Sequence, residues 1–323
     1  MSSAWSNSTL ETYGSGLLVF HVVCDHKQIT EPDRAPAPPV LIAAFIATLS
    51  GAYSAKTINN YVHGVRAWHI LHSLPWTIND PEIDALLKAS ASLAPMSSKR
   101  KKRAPFTTAL LATLLSQLSL STPRDAAVWA CATTVFWAVA RIGEFTLPRL
   151  NAFDPVQHVT RAGMRAAVDR DGRAQVVFAL PCTKSAPNGE DVYWARQEGS
   201  IDPQSALENH LRINNPALAD PLFAYLHHGK LRPLTRSALI SRLHQAMSNA
   251  GSPSLPSHGL RIGGTLEYLL RGVPFDVVKA KGRWASDAFT LYLRCHAEIM
   301  APYMQATPAV HESFIRYAMP PVR

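Results

Sequence analysis

Five consecutive cations near residue 100 divide this chain of 323 residues into two parts. The run consists of Lys99, Arg100, Lys101, Lys102 and Arg103, with Pro95 and two serines before it and Pro105 after it. Charged side chains at this density cannot be packed into an apolar core, so we predict an exposed linker over 96–105. The chain length also favours two domains. The cations could contact a phosphate backbone, form a nuclear localisation signal, or only keep a hinge solvated.

The net charge of +9 is unevenly distributed between the two parts. Residues 1–95 contain five of the 32 Lys and Arg residues and seven of the 23 Asp and Glu residues, a balance of −2. The remaining 27 basic and 16 acidic residues give 96–323 a balance of +11. We therefore expect a polyanion such as a nucleic acid to bind the larger part, although a merely soluble basic surface has the same charge.

The remaining composition is that of an ordinary globular protein, with 47% hydrophobic and 17% charged residues. We expect no membrane span, because the longest apolar run, 40–49, suits a buried helix. The first ten residues lack a basic stretch followed by an apolar core, so we expect no secretion, and residence in the nucleus of a eukaryote or otherwise in the cytoplasm. The thiols are predicted to be free and mostly buried; they are Cys24, Cys131, Cys182 and Cys295.

Helical patterns dominate both parts. Helices are predicted over 8–26, 40–49, 54–74, 80–87 and 107–140, and again from Asp202 to the end. The stretch from Ala126 to Ala140 is apolar all round, which predicts a deeply buried helix. Three short β-like runs, 158–168, 174–181 and 191–196, are separated by turn signals and predict a small antiparallel sheet. The predicted fold class is mainly α with this small antiparallel β-sheet.

Two of the segments that could carry chemistry lie in the middle of the chain. Arg141 and Glu144 follow the predicted buried helix, and at this spacing they can form an ordinary intrahelical ion pair. An oriented arginine is also what phosphate binding requires, since its planar fork matches two phosphate oxygens. Lys184 lies near the tip of a predicted hairpin, where most lysines are solvated.

The third segment lies near the end of the chain. His258 and Arg261 are three residues apart, which places both on one face of a helix that starts near Ser257. Trp284 and Tyr292 follow downstream. A histidine at a helix start is more often an exposed polar residue than a catalyst. Combined with Arg141 and a downstream tyrosine, however, the set has one consistent chemical meaning.

In chain order these pieces resemble the motifs of the tyrosine recombinases, also called the phage-integrase family. The matching positions are Arg141 with Glu144, then Lys184, His258, Arg261, Trp284 and Tyr292. The segment 282–294 is similar to recombinases of fungal mobile elements of the Crypton type. The resemblance covers essentially the full chain. Two features depart from it: Trp284 and Tyr292 are eight residues apart, one fewer than in many members, and residues 1–95 are net acidic.

The resemblance implies a helical, SAM-like core-binding domain over 1–95, a basic linker over 96–105, and a catalytic domain with a C-terminal tail over 106–323. It implies site-specific cleavage and rejoining of DNA through a 3′-phosphotyrosyl intermediate, in DNA recombination and integration. The implied partner is double-stranded DNA, with four copies of the chain on two sites and the five linker cations in contact with DNA. The resemblance implies no metal, ATP or other cofactor.

The resemblance also assigns a role to each matching residue. Tyr292 is the nucleophile, and Arg141 and Arg261 hold the non-bridging phosphate oxygens. His258 relays the phenol proton, with a pKa close to the working pH. Lys184 protonates the departing 5′ oxygen. The supporting roles belong to Trp284, which closes the site, and to Glu144, which orients its neighbours.

A tyrosine nucleophile suits reversible strand breakage, because the covalent link conserves the phosphodiester energy. With a pKa near 10, only about one phenol in a thousand is ionised at neutral pH, a cost of about 4 kcal/mol. A proton acceptor and nearby cations are therefore needed. Tyr268, Tyr303 and Tyr317 are expected to have packing roles, because only Tyr292 follows Trp284 at the family's distance.

Three other interpretations remain at this point. The same residues could serve a topoisomerase IB-like strand relaxer or an enzyme that resolves hairpin ends. The chain could also be a domesticated DNA-binding protein that keeps the fold without recombination, although the complete residue set speaks against such decay. A helical scaffold with accidental motifs ranks last, since it requires the basic bias and all three segments to be coincidence.

Overall fold

The computed structural model describes residues 5, 7–98, 102–183, 186–285, 289–290, 293–301 and 304. The chain divides into two compact units, Met1–Lys102 and Arg103–Arg323. The functions of a core-binding and a catalytic domain, and the bounds 1–95, 96–105 and 106–323, stay predictions. No helix in the described ranges is both long enough and apolar enough to cross a membrane.

The long secondary-structure elements described in the first unit are all α-helices. Its helices are α1 (Asn7–His26), α2 (Pro39–Leu49), α3 (Ala55–Leu71) and α4 (Asp80–Leu93). Ser54 caps α3 as predicted, accepting a hydrogen bond from the backbone N–H of Thr57. Two predicted ends are wrong: α3 stops three residues before Leu74, and α4 continues six residues beyond Leu87. Helix α4 continues because no Pro or Gly follows until Pro95.

Two glycines let α1 and α3 pack at very short range. A Cβ atom at Gly16 would lie 2.6 Å from the Cα of Tyr61, and one at Gly64 would lie 2.5 Å from the carbonyl oxygen of Tyr13. Beside this crossing, the rings of Phe20 and Phe45 meet edge to face with centroids 5.3 Å apart. The core of the first unit therefore depends on backbone-to-backbone packing as well as on apolar side chains.

The second unit begins with three helices, α5 (Thr108–Leu115), α6 (Pro123–Trp137) and α7 (Ile142–Phe145). The continuous helix predicted over 107–140 is wrong, because Thr122 caps a new helix whose first residue is Pro123. The predicted burial is confirmed: every residue of α6 from Asp125 onward is buried. Helix α6 therefore lies in the main core of this unit.

The predicted small antiparallel sheet is present. Its strands are β1 (Met164–Val168), β2 (Ala174–Leu180) and β3 (Glu190–Ala195), with β2 in the middle. The first strand begins later than predicted, since residues 161–163 form a short turn of 3₁₀ helix instead. The connection between β2 and β3 contains Lys184, which lies outside the described residues.

The rest of the second unit is mostly helical. It contains α8 (Pro203–Asn214), α9 (Arg236–Asn249), α10 (Gly259–Leu270), α11 (Phe275–Lys281) and α12 (His296–Met300). The helical prediction misses a hairpin between α8 and α9, formed by β4 (Tyr225–His227) and β5 (Lys230–Arg232). His228 and Gly229 form its turn with positive φ angles of 49° and 74°, a conformation typical of two-residue hairpins.

All four cysteines are free. Cys24 and Cys131 are buried, whereas Cys182 and Cys295 are exposed. The prediction of free thiols is confirmed, and the prediction that most are buried holds for only half of them.

Candidate functional site

The first predicted segment follows the end of α6. Val139 takes a left-handed backbone conformation (φ 52°) that ends this helix and lets the chain turn into α7. The Glu144 carboxylate then holds Arg141 twice. It accepts hydrogen bonds from the backbone N–H and from Nη1 of Arg141, both at 2.8 Å. The ion pair expected from the spacing is thus present, and it also fixes the direction of the arginine.

The third predicted segment lies at the start of α10. His258 immediately precedes this helix, and Arg261 lies in its first turn. Two glycines bring the helix close to its neighbours: a Cβ atom at Gly263 would lie 2.0 Å from the carbonyl oxygen of Phe106, and one at Gly264 equally close to that of Phe136. Because Phe136 belongs to α6, this contact brings the start of α10 beside the chain that leaves α6.

The two segments share one open pocket. Its lining consists of Ala140, Arg141, Ile142, Gly143, Arg236, Ser257, His258 and Arg261. Arg141 is about one-third exposed, whereas Arg261 is almost fully buried. Arg236 was not predicted, because the only local signal is its place after the helix cap Thr235. Three arginines that line one cavity suit an anion with several oxygens, such as a phosphate.

The positive charge of the pocket acts on His258. Burial lowers the pKa of its imidazole to about 4, and Arg103, Arg261, Arg141 and Arg236 add to this effect in decreasing order. The imidazole is therefore neutral at physiological pH in the protein without DNA, and the expected pKa near the working pH is not found. Arg103 is the last cation of the predicted linker, so this end of the run contributes to the field at the pocket.

Trp284 supports Arg261 from one side. The Cζ atom of Arg261 lies 4.4 Å from the centroid of the indole ring, which allows a cation–π contact. Arg261 also donates through Nη2 to the carbonyl oxygen of Gly282. A Cβ atom at position 282 would lie 1.6 Å from Cζ3 of the indole, so glycine leaves the room that the ring occupies. The packing role predicted for Trp284 is thus directed at Arg261.

A second arginine that the sequence did not reveal lies between two carboxylates. Arg283 donates to Glu144 at 2.6 Å and to Glu190 at 2.7 Å. Burial by itself raises the pKa of Glu144, but the hydrogen bonds and charge of Arg283, and the hydrogen bonds of Arg141, hold it below its usual value. Glu144 is therefore ionised at neutral pH, and it orients two arginines.

Several predicted residues lie outside the described part of the chain. They are Lys99, Arg100, Lys101, Lys184 and Tyr292. Lys102 and Arg103 are described, and both are exposed. The structure thus brings Arg141, His258 and Arg261 into one pocket. Glu144 contacts Arg141, and Trp284 contacts Arg261. Within the described ranges, no group of three or more His, Cys, Asp and Glu residues is placed to hold a metal ion.

Comparisons with known proteins identify solved structures of the same fold but no relative by sequence. No protein-family model and no curated protein matches the chain. The XerH site-specific recombinase bound to a palindromic difH substrate, in a post-cleavage complex, aligns over 91% of this chain and 79% of its own, with a TM-score of 0.59 and 14% identity. A pre-cleavage XerH complex with difH aligns over 92% and 79%, with a TM-score of 0.53 and 15% identity.

A third structure has the same architecture. It is a dimer of lambda integrase residues 75–356 bound to a COC′ core site, and it aligns over 90% of both chains with a TM-score of 0.51 and 13% identity. At identities this low, the structural alignments show a common fold and no more. The alignments confirm the fold class predicted from the sequence, mainly α with a small antiparallel sheet.

Proposed function

We propose that this chain, which has the fold of the tyrosine recombinases, cleaves and rejoins DNA at specific sites through a 3′-phosphotyrosyl intermediate. The observation that carries the proposal is the pocket in which Arg141, His258 and Arg261 meet from two distant segments of the chain. The sequence resemblance selects the same three residues without any knowledge of their positions in space. In this proposal DNA recombination or integration is the biological outcome.

The arginines would bind the non-bridging oxygens of the scissile phosphate. Arg261 is almost fully buried and is held by Gly282 and Trp284, so its fork keeps one direction. Arg141 is more exposed and is held by Glu144. Cations fixed in this way stabilise the charge that develops on a pentacoordinate phosphorus, because they need no reorganisation during the reaction.

His258 would accept the phenol proton of Tyr292. A neutral imidazole is required for this step, and the low pKa of His258 provides it. When the phosphodiester enters the pocket, its negative charge offsets the surrounding arginines. The pKa of His258 then rises, which makes the imidazole a stronger base when the substrate is in place.

The remaining roles rest on the sequence resemblance. Tyr292 attacks the phosphorus, and Lys184 protonates the 5′ oxygen that leaves. Arg103 and the other cations of 99–103 contact the DNA backbone, and the effect of Arg103 on His258 supports a position near the phosphate. The resemblance supports four copies of the chain on two DNA sites, origin in a Crypton-like mobile element, and residence in the nucleus of a eukaryotic host or otherwise in the cytoplasm.

A nicked suicide substrate tests this function. Duplexes that the protein binds are first enriched from a random pool, and a nick is then placed so that the short cleaved fragment diffuses away. The wild-type protein should become covalently attached to DNA, whereas Tyr292→Phe should bind DNA equally well and form no adduct. Tyr193→Phe, on an exposed strand position, is the matched control and should react normally. Binding without an adduct by the wild type would instead indicate a DNA-binding protein that has lost catalysis.

A further inference from the structure

Arg283 connects the pocket to the β2–β3 sheet edge through two ion pairs. Its side chain is only 10% exposed. Nη2 lies 2.6 Å from Oε2 of Glu144, and Nη1 lies 2.7 Å from Oε1 of Glu190. A guanidinium so far from solvent between two carboxylates has a fixed position, because moving it would leave buried charges without partners.

The backbone at this position is unusual for an arginine. Arg283 has a φ of 59°, in the left-handed region where glycine is the favoured residue. Backbone strain of this kind persists where the surroundings fix it, and it often accompanies function. An arginine in a place suited to glycine indicates that its side chain has a use there.

The two carboxylates that bind Arg283 have different further contacts, one with Arg141 and the other with Thr183. Glu144 holds the backbone and the guanidinium of Arg141. Glu190 is the first residue of β3, and its Oε1 also accepts a hydrogen bond from Oγ1 of Thr183 at 2.5 Å. The residues on either side of Arg283 contact Arg261: Gly282 through its carbonyl oxygen, and Trp284 through its ring.

We propose that Arg283 is a positioning residue for the phosphate pocket, which keeps Glu144 where it aims Arg141 at the substrate. This inference rests on the proposed function. Oε2 of Glu144 is shared between Arg283 and the backbone N–H of Arg141, and Oε1 receives Nη1 of Arg141. Because Arg283 binds Oε2, the carboxylate keeps one direction, from which it orients Arg141. Glu190 is the anchor that keeps Arg283 in place.

Arg283→Gly is the most informative substitution. Glycine adopts the observed φ without strain, so the change removes the side chain and keeps the backbone. Arg242→Gln is the matched control, because Arg242 forms a comparably buried pair with Asp125 and does not line the pocket. In metal sites, loss of a residue that orients a ligand typically lowers affinity or activity by about 10- to 100-fold, and we expect the same scale for a residue that orients Arg141. Arg283→Gly should lower the rate of covalent attachment to DNA by about this factor, and Arg242→Gln should not.

Coupling to Arg141 distinguishes positioning from general support of the fold. In an Arg141→Lys background, Arg283→Gly should cause little further loss, because its effect passes through Arg141. Arg242→Gln should cause the same small change in either background. If Arg283→Gly and Arg141→Lys multiply as independent changes, Arg283 does not act through Arg141 and the proposal is overturned.

A measurement without DNA chemistry separates this inference from the proposed function. Inorganic phosphate is titrated into the whole protein while the arginine Nε–H signals are followed by NMR. Arg283→Gly should weaken phosphate binding by about tenfold and shift the signal of Arg141, again with Arg242→Gln unchanged. Unchanged binding in Arg283→Gly overturns the inference. A wild type that binds phosphate and never attaches to DNA overturns the proposed function alone, and the inference is then judged by the titration.

Discussion

His258 shows how single residues in the pocket influence one another. The three arginines that line the pocket also disfavour a proton on the buried imidazole. Burial is the main reason why the imidazole of His258, the proposed proton acceptor, stays neutral, and the arginines that prepare the pocket for an anion add to this effect. A solvated histidine would be partly protonated at neutral pH and could not serve this purpose as fully.

The first prediction concerns the pH dependence of cleavage. The pKa of His258 is about 4, so its neutral form, which the reaction requires, is retained as the pH falls from 7 to 5. Cleavage at limiting DNA reports on ionisations of the free protein, and it should keep its rate across this range. Single-turnover adduct formation at a series of pH values measures it.

A second variant, Arg103→Gln, tests the cause of the low pKa, because it removes the largest charge effect on His258. Because this substitution raises the pKa of His258, the acid decline in the rate should move to higher pH. Only the shape of the profile is compared, since Arg103 also belongs to the proposed DNA contacts. A wild-type rate that already declines around pH 6.5 would show that the proton acceptor is not His258 in this environment.

The sequence identifies some of these residues and misses others for a physical reason. Arg141, His258 and Arg261 belong to short motifs in which type and spacing carry the information. Arg236 and Arg283 have no such local signal, because their meaning comes from partners far away in the chain. Glu144 lies more than a hundred positions before Arg283, and only the folded chain brings their side chains within 2.6 Å.

At the scale of helices and strands, glycines decide which elements can approach closely. The α1–α3 crossing and the contacts of α10 with its neighbours both depend on glycines that leave no space for a Cβ atom. The same residues lower helix propensity, so an apolar pattern alone does not explain them. These glycines allow close backbone contacts between elements, and such contacts cannot be recognised from the sequence.

The second prediction compares two glycines of α1. A Cβ atom at Gly16 would meet the Cα of Tyr61 at 2.6 Å, whereas nothing lies within 4 Å of one at Gly14. Gly16→Ala should therefore lower the free energy of unfolding by about 1–3 kcal/mol through overpacking. Gly14→Ala should raise it by up to about 1 kcal/mol, because alanine is the better helix former. Urea unfolding of both variants measures the difference, and equal effects would argue against the close crossing.

The burial of α6 and the three-stranded sheet were predicted correctly, whereas the β4–β5 hairpin and the break before α6 were not. Helix α6 follows from its apolar circumference, and its burial is confirmed. The hairpin of β4 and β5 was missed because each strand has only three residues, too few to establish an alternating pattern. The break before α6 could have been read from Thr122 and Pro123, a helix cap followed by a proline at the first position.

At the scale of the whole molecule, charge is divided between the two parts of the chain. Residues 1–95 have a balance of −2 and residues 96–323 a balance of +11. Non-specific attraction to DNA should therefore come mainly from the larger part, with the run Lys99–Arg103 as its densest cluster. The pocket belongs to the same basic part, so long-range attraction and the proposed chemistry share one region of the sequence.

The third prediction concerns the salt dependence of DNA binding. Each phosphate contact contributes about 0.9 to the slope of log K against log salt concentration. Replacing all five cations of 99–103 by glutamine should therefore flatten the slope by up to about 4.5 if they contact DNA. Fluorescence anisotropy of labelled duplex at several salt concentrations gives the slope. An unchanged slope would leave the run as a hinge or a nuclear localisation signal.

The identity of the nucleophile is tested most directly by mapping the covalent protein–DNA adduct. After reaction with the suicide substrate, nuclease and protease digestion leaves a peptide that carries a nucleotide remnant, and mass spectrometry locates the modified residue. We predict a 3′-phosphate linked to Tyr292, with no such peptide from Tyr292→Phe. Attachment at Tyr268 or Tyr303, or an adduct that persists in Tyr292→Phe, would contradict the proposed mechanism.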